Sequence, residues 1–289
     1  MVAPVSVPLE RVRTRVAGTI RTLVAGSPEA PRPRRPSEGP GLFAPDSVTW
    51  RVHSDAAMFI GGLRALLMQT MHPLAMAGVA DHSDYRSDPW GRLRRTGEFV
   101  GLTTFGTEAE AHAVIERVRR VHEFVRGTAP DGRPYSATDP HLLTWVHVTE
   151  VDSFLRAYQR YGNGHLTTAE ADRYVEEMAQ VAELLGADEV PRSVAEMETW
   201  IQAVRPELVI GSQARRAIAF LLAPPVPLTL RPVYGVIGAA AIGLLPSWAR
   251  RKLWLPSPPL SDPLLVRPAA RVLTGGVGWA LRLEAPTAS

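Results

Sequence analysis

The chain has no cysteine among its 289 residues. Disulfides, thiolate nucleophiles, zinc–thiolate centres and cysteine-ligated haem are therefore excluded. Any metal must be held by histidine, carboxylate or another nitrogen or oxygen donor, and eight histidines are present. Lysine is almost missing too. Lys252 is the sole lysine among 32 basic side chains, so lysine-dependent chemistry elsewhere is ruled out. No apolar run spans a bilayer. The most apolar stretch, Val233 to Leu245, is bounded by Pro232 and Pro246 and falls short of the ~20 residues a span needs. Residues 1–10 lack a basic segment followed by an apolar block, so no secretory leader is expected and a cytoplasmic location is. His-Glu-x-x-His, Gly-x-Ser-x-Gly, the P-loop and Gly-x-Gly-x-x-Gly are all missing. So are βαβ alternation, a sustained period of two, and internal repeats.

What is present is helix after helix. The formal charge is +3 and the isoelectric point about 9.6. No basic stripe interleaved with aromatics points to nucleic acid. Residues 8–25 form an amphipathic pattern, and residues 27–45 are a connection rich in proline, glycine and arginine. The organisation is therefore 1–45 as an N-terminal helix and connection, and 46–289 as one multi-helix domain. Ser54 is placed to cap a helix carrying Ala56, Phe59, Ile60, Leu63, Leu66 and Leu67. Gly61 and Gly62 interrupt it, which suits close approach by another helix or by a flat ligand.

Thr107 and Glu110 form a capping-box pattern that starts a helix expected to reach Gly127. Its stripe is Ala111, Ile115, Val118, His122 and Val125. Asp139-Pro140 starts another helix with Leu143, His147, Val151, Phe154 and Tyr158 on one face. Thr167 and Glu170 open a third, ending at Gly186. A further helix from 193 to 222 is expected to break near Pro206. The segment 233–245 reads as a buried helix whose small residues allow close packing. A last helix is expected near 262–274.

His122, His147 and His72 lie where buried chemistry could occur. For each, a bonded core imidazole and a ligand are the competing readings. Trp145 could wall a flat ligand or simply fill the core. The stretch from Val79 to Thr96 crowds Asp81, His82, Asp84, Arg86, Asp88, Trp90, Arg92, Arg95 and Thr96 together. In a helix, Arg92, Arg95 and Thr96 share a face. They could donate to a bound anion, or pair with Asp81, Asp84 and Asp88. A histidine on a helix, no cysteine and several glycine-bearing helices are compatible with a haem pocket between helices.

Leu66-Leu-Met-Gln-Thr-Met-His-Pro73, Asp81-His-Ser83, Asp88-Pro-Trp-Gly-Arg-Leu-Arg-Arg-Thr96, Tyr135-Ser-Ala-Thr-Asp-Pro140 and Trp145-Val-His147 resemble the DUF2236 family, the mpaB/rubber-oxygenase catalytic domain. The resemblance covers roughly residues 45–255. It implies an all-α fold, a b-type haem and oxygenase chemistry. Members include latex-clearing proteins that cleave polyisoprene and a fungal enzyme that cleaves a terpenoid side chain. The resemblance implies His122 as the proximal iron ligand and carries over Arg92 and Thr96. Two positions depart. The family's distal lysine is Arg95 here, which stays protonated and is a poor iron ligand. The catalytic carboxylate of the latex-clearing branch falls near Met76, leaving Asp81 or Asp84 as stand-ins. These departures argue against rubber cleavage itself.

The expectation is an all-α haem b oxygenase acting with dioxygen on a small apolar metabolite. The competing classes are a haem or lipid carrier of the same fold, a peroxidase-like haem enzyme, and a membrane-surface enzyme anchored around Trp248, Arg250, Arg251, Lys252 and Trp254.

Overall fold

The structure, a computed structural model, describes residues 39–256 and 266–281. The chain runs through α1 (Val48–His53), α2 (Met58–Gln69), α3 (Pro73–His82), α4 (Pro89–Phe105) and α5 (Glu108–His122). A hairpin of β1 (Arg126–Thr128) and β2 (Pro134–Ser136) follows. Then come α6 (Pro140–Tyr161), α7 (Thr168–Leu185), α8 (Val194–Val204), α9 (Ser212–Leu222), α10 (Arg231–Leu244), α11 (Ser247–Lys252) and α12 (Arg267–Leu281). This is the expected all-α fold, a single helical domain.

Local chemistry sets many of these boundaries. Asp139 caps α6 by accepting from the His141 N–H at 2.9 Å, and Pro140 takes the first helical position, where its missing N–H costs nothing. Thr107 with Glu110 and Thr167 with Glu170 form reciprocal capping boxes at α5 and α7. Gly186 closes α7 with φ 102°, a left-handed position that favours glycine.

Helix α6 is the hub. Val148, Val151, Phe154, Leu155 and Tyr158 join residues of α1, α7 and α8 in one cluster. Trp145 joins Leu67, Met68, Met71 and Leu245 in a second. Ala157 and Tyr161 join Ile60, Leu63, Ala240, Ala241 and Ala270 in a third. A helix that buries apolar residues on several sides belongs in the interior. Its main partner is α2. Gly61 makes that approach possible: a Cβ there would lie 2.8 Å from Phe154 Cδ1 and 3.1 Å from its Cα. Close helix packing, rather than a ligand, accounts for this glycine.

The same interface holds a buried ion pair. Arg64 Nη2 lies 2.7 Å from Asp152 Oδ2, with both side chains under 4% exposed. Arg64 also donates to Ser153 Oγ at 2.6 Å and to the Leu244 carbonyl at 3.1 Å, which ties α2 to α6 and α10. Arg156 supplies Asp152 with a second cation at 2.7 Å.

Several boundaries differ from the sequence expectation. Ser54 ends α1 instead of starting α2: its Oγ donates to the Trp50 carbonyl at 2.6 Å. The helix opened by Thr107 stops at His122, because residues 126–128 pair antiparallel with 134–136 around an Asp131-Gly132 turn with Gly132 at φ 87°. The break at Pro206 is present as a single 3₁₀ turn, Arg205–Glu207. Helix α10 is buried through Gly238, Ala240 and Ala241 only, while Val233 stays 39% exposed. Gly235 and Gly238 do not mediate close approach, since a Cβ at either would meet nothing within 4 Å. The pattern at 8–25, and residues 262–265 of the last expected helix, lie outside the described residues.

Candidate functional site

The polar stretch between α3 and α4 is partly a cap. Asp88 Oδ1 accepts from the Gly91 N–H at 2.8 Å. A Cβ at Gly91 would lie 1.7 Å from Asp88 Oδ2, so this cap requires glycine there. Asp88 also meets Arg95 at 3.6 Å, and both side chains are at least half exposed. Thr96 is exposed as well. Of the three candidate donors on α4, only Arg92 turns inward. Its Nη1 donates to Ser83 Oγ at 2.5 Å, and burial pulls its pKa down. Asp81 accepts from the Tyr135 hydroxyl at 2.6 Å, joining α3 to β2. Asp81 and Asp84 line a cavity of about 230 Å³ with Ser83, Arg86, Gln213 and Arg216. Met76 is buried against Ala214 and Ala217, so the position matching the latex-clearing carboxylate is an apolar contact.

His122 ends α5 and is partly buried. Its Nδ1 is buried without a hydrogen-bond partner among the described residues. Burial lowers its pKa, which keeps the ring neutral and its lone pair free. Val121 and Phe124 flank it in sequence and stay 56% and 76% exposed, unusual for apolar residues of this size.

The middle of α6 carries two more groups with shifted titration, both half-buried. Burial lowers His147 to about 4 and raises Glu150 to about 7. One turn separates them, and neither side chain makes a hydrogen bond among the described residues. Both shifts favour the neutral form, the expected response of ionisable groups held in an apolar setting without a charge partner. Trp145, one turn before Thr149 on α6, is fully buried and its indole N–H is also unpartnered. It packs against Trp200 with ring centroids 6.4 Å apart.

His72 caps α3 at a corner where His141 and Glu207 also converge. It does not share His122's helix. The sequence histidines are thus divided among the end of α5, the middle of α6 and this corner.

Sequence reasoning missed His53. Its Nδ1 lies 2.7 Å from Thr104 Oγ1 and its Nε2 3.0 Å from the Tyr174 hydroxyl, a buried chain linking α1, α4 and α7. Burial takes its pKa to about 3. Beside it, the Thr49 N–H and Oγ1 both donate to Glu177 at 2.8 Å. No motif surrounds His53. Its place at the end of a six-residue helix left too little periodicity to show its burial.

The family profile described as "ER-bound oxygenase mpaB/B'/Rubber oxygenase, catalytic domain" matches residues 50–275. The chain belongs to this family. Uncharacterized proteins of Mycobacterium bovis and Mycobacterium tuberculosis are each 29% identical to the chain over 142 residues, 47% of this chain and 55% of the relative. The chain thus matches about half the length of these curated relatives. No solved structure matches it. Among the described residues, no helix is long and apolar enough to cross a membrane.

Proposed function

We propose that this oxygenase-family chain is a haem b-dependent oxygenase that acts with dioxygen on a small apolar metabolite of alkene or terpenoid type. One observation carries the haem assignment: the unpartnered, buried Nδ1 of His122 at the position that the family resemblance gives to the iron ligand. A buried polar atom without a partner costs on the order of 1–3 kcal/mol unless something bonds to it. The exposed Val121 and Phe124 beside it offer an apolar edge to a flat ring.

Haem, when bound, supplies the iron that activates dioxygen. The chain's own residues do the rest. His122 would hold the iron. The Arg92 guanidinium, already turned inward, is suited to a propionate carboxylate. The fully buried Trp145 would add an apolar wall that favours an apolar substrate. Arg95 is engaged with Asp88 and stays protonated, so it would be a poor iron ligand if haem were bound. Thr96 joins the site only if it turns from its exposed position.

A second reading, a haem or lipid carrier without turnover, is favoured by the apolar surroundings of Met76, where the latex-clearing branch has an acid. Spectra and oxygen uptake separate the two. Haem-reconstituted protein is expected to show a Soret band and to consume oxygen when a short terpenoid alkene is added. His122→Ala should lose the band while its far-ultraviolet circular dichroism is kept. Normal haem binding by that variant would overturn the ligand assignment. A Soret band with no uptake across alkenes would leave the carrier reading.

A further inference from the structure

The corner formed by α3, α6 and the Pro206 turn holds a second group of ligand-type side chains. His72 is the N-cap residue of α3, His141 lies in the first turn of α6, and Glu207 ends the 3₁₀ turn after α8. One ligand atom from each lies within 4.8 Å of the others. Glu207 Oε2 is 3.0 Å from His141 Nε2 and 3.4 Å from His72 Nε2.

Hydrogen bonding explains this group poorly. The His72 side chain is 1% exposed. Its Nδ1 has no partner, and the 3.4 Å contact of its Nε2 exceeds the usual range for N–H···O, ~2.7–3.2 Å. A buried imidazole with neither nitrogen well bonded is costly. Ligand geometry explains it better. Two donors, each ~2.0–2.1 Å from a tetrahedral metal, lie ~3.3 Å apart. Both measured contacts are close to that edge.

The supporting frame is fixed. The Val209 N–H donates to the Met71 carbonyl at 2.8 Å, which ties the chain after Glu207 to the residue before His72. Lys252 Nζ donates to the Leu208 carbonyl. Trp145 lies 6.1 Å from the His72 ring and Trp200 5.4 Å from the His141 ring, centroid to centroid. The paired indoles form an apolar wall behind the imidazoles, as metal sites often have. His141 and Glu207 are 44% and 41% exposed on the other side, so solvent can reach the site.

We propose that His72, His141 and Glu207 bind one borderline divalent transition metal ion, in a two-histidine, one-carboxylate set with room for water. This donor set suits Zn²⁺ or Fe²⁺ over Ca²⁺ or Mg²⁺, which prefer oxygen alone. The site leaves His122, the residue assigned to the haem iron, untouched.

The test is calorimetric titration of the full chain with ZnCl₂, with and without haem. Wild type should bind about one Zn²⁺ per chain. His141→Ala and Glu207→Gln, both at exposed side chains, should weaken binding at least 10-fold while thermal melting stays close to wild type. His122→Ala should bind Zn²⁺ like wild type and lose only the Soret band, which keeps this site's failure distinct from that of the haem. No saturable Zn²⁺ binding, or binding unchanged in both the His141 and Glu207 variants, would overturn the site. Loss in His122→Ala as well would assign the zinc to the haem pocket instead.

Discussion

Arg64 and His72 sit near opposite ends of the α2–α3 corner, and both are buried to about 1% exposure. Arg64 has a partner for each direction it points: Asp152, Ser153 and a backbone carbonyl. His72 has one long contact and an unbonded ring nitrogen. The contrast extends through the molecule. The Arg64–Asp152 pair and the His53 chain satisfy their buried polar groups internally. The Nδ1 atoms of His72 and His122 and the indole N–H of Trp145 are not satisfied. Satisfied polarity reads as structure, and unsatisfied polarity marks the surface kept for something else.

The largest test of that comparison breaks the satisfied side. Asp152→Asn leaves Arg64 buried without its charge partner and should cost about 3–5 kcal/mol in urea unfolding. His72→Phe removes an imidazole with little internal bonding and should cost far less. Equal losses would erase the distinction. A steric probe comes next. Gly61→Ala drives a Cβ into Phe154 and should cost about 1–3 kcal/mol, read as a lower melting temperature.

Glu150→Gln tests burial through pH. Because the folded pKa of Glu150 is raised to about 7, its contribution is full below the unfolded value, near 4.5, and is lost as pH rises through 7. His147 and His53, lowered to about 4 and about 3, act oppositely. Their contribution is full above about 6.5 and is lost as pH falls through the folded values. The variant should therefore be more stable than wild type at pH 8, by on the order of 2 kcal/mol, with the acid limb unchanged. An unchanged alkaline slope would mean that Glu150 has a charge partner or ready access to water. The smallest effect is a gain. Gly238→Ala adds a methyl that meets nothing within 4 Å and should raise stability by about 0.4–1 kcal/mol through the unfolded chain. Opposite signs at Gly61 and Gly238 would show that glycine in these helices serves packing at one position only.

Much of the fold was legible because caps are local. Thr107, Asp139, Thr167, Ser193 and Gly186 each mark a boundary through one or two neighbouring residues. The hairpin was not legible. Its strands are three residues each, too short for a period of two, and Asp131-Gly132 was its only signal. The candidate site was legible in parts. The spacing of Ala111, Ile115 and Val118 points His122 inward, and the order of motifs carries the family. Thr96 could not be placed, since a shared face with Arg92 does not say which side of that face meets water. Glu207 and His141 could not be brought together from the sequence either. Their meaning comes from a corner that joins residues distant in the chain, and no local pattern encodes that.

The pairing of α2 with α6 has a consequence for the order in which the molecule can be made. Everything between them, α3, α4, α5 and the hairpin, leaves the ribosome before α6 does. Ile60, Leu63 and Arg64 therefore wait for their main partners during synthesis, and the closure entropy of the intervening segment is lost only when α6 arrives. The excursion includes His122 and the α4 arginine, while α6 brings His147 and Glu150. A nascent chain stalled before α6 would expose the apolar side of α2.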